Sequence, residues 1–216
     1  MGNVEVYTLL RPELNKETVF ALIRCKAENP ARNQMEQAYL RLLPQVSRLA
    51  KPRAALAISE ISPEDACSQL PAGSRVLYVV QTIGTELSDL SDRFFQSKNY
   101  VDGLVIDAMA DSCLFALDKY VTERIRTRCR KEKMGVTRRL SPSVEIPLSF
   151  QRRAFEETQA TEKLGIGITV GDMLDPAKSS SNVYLLSPNT DEMMVEHDCS
   201  TCTMTECLLR KESVPS

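Results

Sequence analysis

The chain has 216 residues and 43% of them are hydrophobic, which supplies the core of one large domain or two small ones. Its 27 basic and 29 acidic side chains nearly balance, so no overall field draws the protein to nucleic acid or to an anionic membrane. No apolar run approaches the roughly 20 residues of a membrane span, and the N-terminus lacks the regions of a signal peptide, so we expect a cytoplasmic protein.

The first part of the chain predicts one strand and two helices. A mixture of β-branched and apolar side chains at residues 4–10 is typical of a strand. Asn15 can then cap a helix that runs to Asn29-Pro30. A second helix is expected over residues 33–49, where Pro44 should kink or divide it.

The middle of the chain predicts the hydrophobic interior. Continuous apolar runs at residues 54–58 and 75–80 indicate buried strands. A helix should begin at Glu86 and run through residue 95. The longest helical pattern covers residues 101–131, and we expect it to form the central buried helix because apolar side chains recur along it at helical spacing.

The last third of the domain predicts shorter elements. Two prolines indicate an extended loop over residues 138–147, and an amphipathic helix follows at 150–164. A strand at 166–170, a hydroxyl-rich turn at 173–181 and a strand at 183–186 complete this part. Because strands and helices do not alternate regularly, we predict an α+β fold with a mixed, largely antiparallel sheet flanked by long helices.

The chemically densest stretch is a cysteine cluster near the C-terminus. Cys199, Cys202 and Cys207 follow the spacing C-x2-C-x4-C, which lets three thiolates converge on one metal. Zinc and an iron-sulfur cluster both accept such thiolates, and the fourth position is open to His197, another thiolate, a partner's residue or a small molecule. A redox dithiol and a cysteine-rich tail without chemistry are the alternatives.

The other four cysteines predict a different role. Seven cysteines in a chain without a secretion signal favour reduced thiols or metal ligands over disulfides. Cys25, Cys67, Cys113 and Cys129 lie in helical or apolar segments, where a buried and inert thiol is expected. The expected organisation is a single domain over residues 1–195, a metal-binding tail over 196–210 and a disordered end over 211–216.

Several short segments stand in the order and spacing of a known protein family. They are residues 17–24, the turn Thr82-Ile83-Gly84, residues 106–110, the loop Arg139-Leu140-Ser141-Pro142, Gln151, and residues 176–181 followed by Tyr184. Together they resemble the activation domain of vitamin B12-dependent methionine synthase, in the stand-alone form that some bacteria encode apart from the main enzyme. The resemblance extends over nearly the whole chain and implies the same α+β fold.

The resemblance also implies a binding site for S-adenosylmethionine. In that family a loop of the form R-x-x-x-G-Y and a later serine-rich turn with its tyrosine bind this cofactor, which here gives Arg139, Ser179, Ser181 and Tyr184. A guanidinium can fork onto the methionine carboxylate, hydroxyls can bond the polar end, and an aromatic face can meet the sulfonium. The sequence departs from the family pattern at three positions, where Ser143 and Val144 replace the glycine and tyrosine of the loop and Asn182 replaces a later glycine.

An accessory role in a methyltransferase system follows from the resemblance. Such a protein docks on a cobalamin-dependent methionine synthase or another corrinoid protein. A flavodoxin-like or ferredoxin-like reductant then supplies one electron to inactive cob(II)alamin, and S-adenosylmethionine supplies the methyl group. The cobalamin-holding motif D-x-H-x-x-G is absent, so the corrinoid is expected only on the partner.

Two other functions stay open at this point. The cysteine cluster and the replaced residues favour a metal-binding electron-transfer or assembly protein that keeps the fold without the methyl-donor site. A purely structural partner subunit is the third alternative, and whether the chain is itself an enzyme is left open.

Overall fold

The computed structural model describes residues 4–8, 13–200, 202, 204 and 206–210. Part of the predicted strand at 4–10 and the predicted disordered end at 211–216 lie outside the described residues. In chain order the elements are β1 (Glu5–Tyr7), α1 (Lys16–Leu22), α2 (Arg32–Leu49), β2 (Arg53–Glu60), β3 (Arg75–Thr82), α3 (Glu86–Gln96), α4 (Tyr100–Lys131), β4 (Gly135–Leu140), α5 (Ser149–Glu157), α6 (Ala160–Leu164), β5 (Gly167–Ile168), β6 (Leu174–Asp175) and β7 (Ser179–Ser187).

The main sheet has five strands in the order β1-β2-β3-β7-β4, and each neighbouring pair is antiparallel. β5 and β6 form a separate two-stranded pair. β3 is buried from Val76 to Thr82, because side chains on both of its faces are covered. This burial explains the continuous apolar run that predicted the strand. The predicted α+β fold, with its antiparallel sheet and long helices, is confirmed.

Alternation along β3 divides the hydrophobic interior into two layers. Leu77 and Val79 pack with residues of α1 to α4, whereas Tyr78 and Val80 pack with residues of α5 and α6. The 32-residue helix α4 is the central helix of the first layer, as its apolar pattern predicted. Among the described residues, no helix has the combination of length and apolar character that crossing a bilayer requires.

Two predicted helices differ from expectation in their extent, whereas α2 spans nearly the predicted range. Asn15 caps α1 as predicted, by accepting from the backbone N–H of Thr18 at 2.9 Å, but the helix ends at Leu22 rather than near Asn29-Pro30. α2 is not divided at Pro44, because neighbouring apolar side chains hold it against the core on both sides of the proline. The predicted helix at 150–164 is broken into α5 and α6 by Gln159, whose φ of 52° cannot continue a right-handed helix.

Two further corrections concern the segments that carry the candidate site. Residues 138–140 were predicted as the start of a loop and are instead the end of β4, while residues 179–181 were predicted as a turn and begin β7. The pairs Arg139↔Tyr184 and Leu140↔Val183 join these strands. The hydrogen bonds of β7 with β4 and with β3 stabilise these residues as strands, despite the weak strand preference of serine and the turn signal of the prolines.

Candidate ligand-binding site

A cavity of about 430 Å³ lies at the edge of β7 where β4 ends. β4 pairs with β7 only as far as Leu140↔Val183, so residues 179–182 of β7 have no partner from β4 along this edge. In an antiparallel strand, alternate residues direct their N–H and C=O groups to the same side. All four residues of this edge line the cavity.

Arg139 forms the charged wall of this cavity. Its side chain extends from β4 to α4, where Nη1 and Nη2 donate to the two carboxylate oxygens of Asp118 at 2.6 and 3.0 Å. Its Nε donates to Asn182 Oδ1 at 3.3 Å. Burial by itself lowers the pKa of Arg139, but Tyr184, Asp118 and Glu145 raise that pKa above its usual value. The guanidinium is therefore a fixed cation whose fork already holds a carboxylate.

Tyr184 lies beneath Arg139 and does not line the cavity. Its side chain is fully buried in the layer of α4, and its ring centroid lies 5.9 Å from the guanidinium carbon of Arg139. Burial raises the pKa of the phenol above its usual value, and its oxygen has no hydrogen-bond partner among the described residues. The ring thus supports the cation from below.

The three serines at the start of β7 divide between the two faces of the strand. Ser180 faces α4, where its Oγ accepts from Gln81 Nε2 at 3.0 Å. Ser179 and Ser181 face the opposite layer, and Ser181 Oγ bonds to Gln151 Oε1 of α5 at 3.2 Å. Since Gln151 also lines the cavity, the cavity extends around the edge of β7 from α4 to α5.

The loop after β4 keeps a glycine-like backbone at Ser143. Its φ of 68° lies in the left-handed region that favours glycine. The Ser143 side chain is exposed, and neither it nor Val144 lines the cavity, which Ser141 and Pro142 border instead. A side chain at position 143 therefore does not block the cavity.

Asn182, which replaces the later glycine of the family pattern, has a direct role in the charged wall. Its side chain is buried, and Oδ1 accepts from Ser141 Oγ at 3.2 Å as well as from Arg139 Nε. The amide thus ties the loop after β4 to the guanidinium. The replacement adds a contact that a glycine could not make.

Two residues of the charged wall were not predicted from the sequence. Asp118 comes from α4, and Gln81 from β3 donates through Nε2 to Asp118 Oδ1 at 3.2 Å. A long helix with many charged residues gives no sequence signal for which carboxylate meets β4. For Gln81 the available signal is its position as a polar residue at the end of an apolar strand.

Lys178 fixes the start of β7 against α4. Its Nζ lies 2.7 Å from Asp111 Oδ1 and 2.9 Å from Asp107 Oδ1. Burial lowers the pKa of Lys178, but the two carboxylates outweigh this effect and raise it. This pair of contacts sets the position of Ser179, the next residue, relative to α4.

The cysteine-rich tail forms another wall of the same cavity. The tail begins after Val195, which is fully buried in the core layer that contains α4. Further along, Arg210 Nη2 donates to the Cys202 carbonyl oxygen at 2.7 Å and folds the tail onto itself. The predicted metal ligands that line the cavity are His197, Cys199, Cys202 and Cys207.

These soft ligands border one cavity but do not form an assembled metal site. Within the described ranges, no three His, Cys, Asp or Glu side chains lie close enough together to hold a metal ion. The seven cysteines are free thiols. Cys25, Cys113 and Cys129 are buried as predicted, and burial raises the pKa of Cys113 and Cys129 to about 11. Cys67 is partly exposed, contrary to expectation, because it lies in a short turn closed by its bond to Leu70.

The site therefore combines a fixed cation, a carboxylate, amides, hydroxyls and an open strand edge around one cavity. Its volume lies within the roughly 300 to 1,000 Å³ of small-molecule sites. Of the residues predicted for S-adenosylmethionine, Arg139, Ser179 and Ser181 line the cavity, whereas Tyr184 does not line it and lies against the guanidinium of Arg139.

Comparison with known proteins gives one kind of match. No protein-family model matches the sequence, and no curated protein matches it. A crystal structure of the MetH reactivation domain bound to AdoHcy matches with a TM-score of 0.64 and 14% sequence identity, over 91% of this chain and 82% of that chain. A likeness at this identity establishes the fold alone, and the chain accordingly has the fold of the MetH reactivation domain.

Proposed function

We propose that the chain binds S-adenosylmethionine in the cavity at the edge of β7 and serves the reductive reactivation of a cobalamin-dependent methionine synthase or a related corrinoid methyltransferase. One observation carries the proposal. Arg139, Ser179 and Ser181 border a single cavity of suitable size, in a fold shared with a domain that was solved bound to AdoHcy. Tyr184 supports the cation of that cavity from below.

The proposed role divides the chemistry between two proteins. The corrinoid belongs to the partner, which takes an electron from a flavodoxin-like or ferredoxin-like reductant and accepts the methyl group. This chain contributes the positioning of the methyl donor. Such a role needs little acid-base machinery, in agreement with a chain that has one histidine.

A calorimetric titration with S-adenosylmethionine and S-adenosylhomocysteine tests the binding step. The wild-type protein should bind saturably, and Arg139→Met should weaken binding at least about 30-fold, because a ligand carboxylate loses its cation. Arg138→Met is the matched control, because Arg138 is the neighbouring residue of β4 and is exposed. Its Nη1 donates to Gln69 Oε1, away from the cavity. Equal binding by the two variants would contradict the assignment of Arg139.

The reactivation step needs a separate experiment. A cobalamin-dependent methionine synthase is oxidised to its cob(II)alamin form and incubated with a reductant and S-adenosylmethionine, with or without this protein. Recovery of methyltransferase activity should depend on the protein and should be lost with Arg139→Met. Recovery at the same rate without the protein would refute the proposed role.

A second candidate function is metal binding by the tail, as in an electron-transfer or assembly protein. The observation that favours it is the common location of His197, Cys199, Cys202 and Cys207 on one cavity. Because the described side chains are not assembled around a metal position, binding would require the tail to close. No chemical step is assigned to such a metal.

Titration of anaerobically purified protein with cobalt(II) tests this candidate. Thiolate coordination gives a charge-transfer absorption, which Cys202→Ser should abolish and Cys67→Ser should leave unchanged, because Cys67 lies in a turn outside the cavity. Reconstitution with iron and sulfide then distinguishes a cluster from a single zinc-like site. A spectrum without thiolate bands would remove the candidate.

A further inference from the structure

The positive charge of Arg139 is already compensated within the protein. Its two terminal nitrogens donate to both oxygens of Asp118, and the two side chains are 12% and 25% exposed. Both residues line the cavity. A ligand carboxylate that approaches Arg139 therefore competes with a carboxylate of the protein itself.

Gln81 supports Asp118 and carries an acceptor without a partner. Its Nε2 donates to Asp118 Oδ1 at 3.2 Å and to Ser180 Oγ at 3.0 Å, so the amide hydrogens are used. The carboxylate dictates this orientation, because the reversed amide would place its oxygen against Asp118. Gln81 Oε1 is buried and has no hydrogen-bond partner among the described residues. An unpartnered buried acceptor is costly unless a bound group donates to it.

These three side chains constrain the charge of a ligand. A ligand with a carboxylate alone would take Arg139 from Asp118 and leave the Asp118 charge partly buried without a cation. A ligand with an ammonium alone would take Asp118 from Arg139 and leave the Arg139 charge partly buried without an anion. A ligand that carries both charges on adjacent atoms can exchange with the pair and leave each protein charge compensated.

We propose that Asp118, supported by Gln81, is the ammonium-binding residue of the cavity, and that the Arg139–Asp118 pair selects ligands with a zwitterionic α-amino acid end. The carboxylate of the ligand binds Arg139 and its ammonium binds Asp118. This inference rests on the proposed binding of an adenosyl ligand and names the part of the ligand that the charged wall recognises. Asp118 is thereby a specificity-determining residue, because it penalises ligands that lack the ammonium.

The test compares two ligands on two proteins by calorimetry. The ligands are S-adenosylhomocysteine and its deaminated analogue, which keeps the adenosyl thioether and the carboxylate but has hydrogen in place of the ammonium. The proteins are the wild type and Asp118→Asn, which keeps the size of the side chain and removes its charge. The measured quantity is the ratio of the two dissociation constants in each protein, which isolates the coupling between residue 118 and the ammonium.

Wild-type protein should prefer S-adenosylhomocysteine to the deaminated analogue, and Asp118→Asn should reduce that preference at least about tenfold, as expected for a charge-assisted hydrogen bond. The deaminated analogue should also bind Asp118→Asn more tightly than the wild type, because the competing charge is gone. Glu123→Gln is the control, since it removes one charge from an exposed position of the same helix outside the cavity and should leave the preference unchanged.

The outcomes separate this inference from the proposed function. Binding of S-adenosylhomocysteine with the same preference in wild type and Asp118→Asn supports the cavity and overturns the role of Asp118. If neither ligand binds the wild-type protein, the proposed function is overturned, and the assignment of Asp118 is overturned with it. A thermal unfolding scan of Asp118→Asn verifies that a change in preference is measured on folded protein.

Discussion

The cavity has two walls that are built in different ways. The Arg139 wall is fixed by the pairing of β4 with β7 and by bonds from Arg139 to Asp118 and Asn182. The cysteine wall belongs to a tail that is anchored at its root by buried Val195. The first wall is preorganised for a polar ligand, whereas the second holds soft ligands that only a bound metal or a partner would bring together.

The largest expected effect comes from a substitution at Gly135, which packs against the segment between β7 and the tail. A methyl group added at this glycine would lie 1.9 Å from the Asn189 carbonyl oxygen and 2.7 Å from that of Glu192. Backbone atoms cannot move aside cheaply, so Gly135→Ala should lower the free energy of unfolding by about 3 kcal/mol or more. Urea denaturation measures the change. Gly171→Ala, where the added methyl would meet only Thr169 Oγ1 at 4.0 Å, is the matched control and should stay within about 0.5 kcal/mol.

A smaller loss is expected from breaking the charged wall itself. Arg139→Met leaves Asp118 without its cation in a position that is 25% exposed, and should cost about 2 kcal/mol of unfolding free energy, less than for a fully buried pair. Adding Asp118→Asn to this variant should recover part of the loss. Losses that simply add in the double variant would show that the two side chains do not interact.

Cysteine accessibility tests whether the two walls share one ligand. Alkylation of the native protein should label Cys199, Cys202 and Cys207 and spare buried Cys113 and Cys129. If a ligand held by Arg139 fills the same cavity, S-adenosylhomocysteine at about ten times its Kd should slow labelling of Cys199 and Cys202 about tenfold. Mass spectrometry after digestion gives the rate at each site.

Two controls define that result. Labelling of partly exposed Cys67 should be unaffected by the ligand, because Cys67 does not line the cavity. Equal rates at the tail cysteines with and without bound ligand would show that the ligand occupies only the charged side of the cavity.

The smallest expected effect is at Ser143, outside both walls. Ser143→Gly removes the penalty of a left-handed φ but adds chain entropy to the unfolded state, so the protein should be stabilised by about 0.5 kcal/mol. Chemical denaturation with replicate midpoints can resolve this change. Ligand affinity should not change, because the Ser143 side chain does not line the cavity.

The long elements of the fold were predictable from the sequence and the site was predictable only in part. Helical spacing over residues 101–131 and the apolar runs of β2 and β3 give strong periodic signals, since the core on both sides of the sheet imposes them. The three serines at the start of β7 give no such signal, because hydroxyl side chains at a strand end resemble those of a turn. Their assignment depends on pairing with β3, which is remote in sequence.

The residues of the charged wall were also only partly predictable from the sequence. The family resemblance of its segment made Arg139 a candidate, whereas nothing in the sequence distinguished Asp118 from the other acidic residues of α4. Its role depends on the rotation of α4 relative to β4, which tertiary packing determines. The spacing of the tail cysteines made them candidate metal ligands, which stays a prediction, and it gave no sign that they share a cavity with Arg139.

Lys178 has a consequence for the site that its location outside the cavity conceals. The pairing of β7 with β3 directs even-numbered Ser180, Asn182 and Tyr184 toward α4. The contacts of Lys178 with Asp107 and Asp111 tie the start of the strand to the same helix in this register. A slip of one residue would exchange the whole set for Ser179, Ser181 and Val183 and leave Arg139 without Asn182 and without the ring below it. The contacts of Lys178 therefore help to hold this register, and an engineered change of ligand specificity at the cavity-lining residues of β7 should keep Lys178.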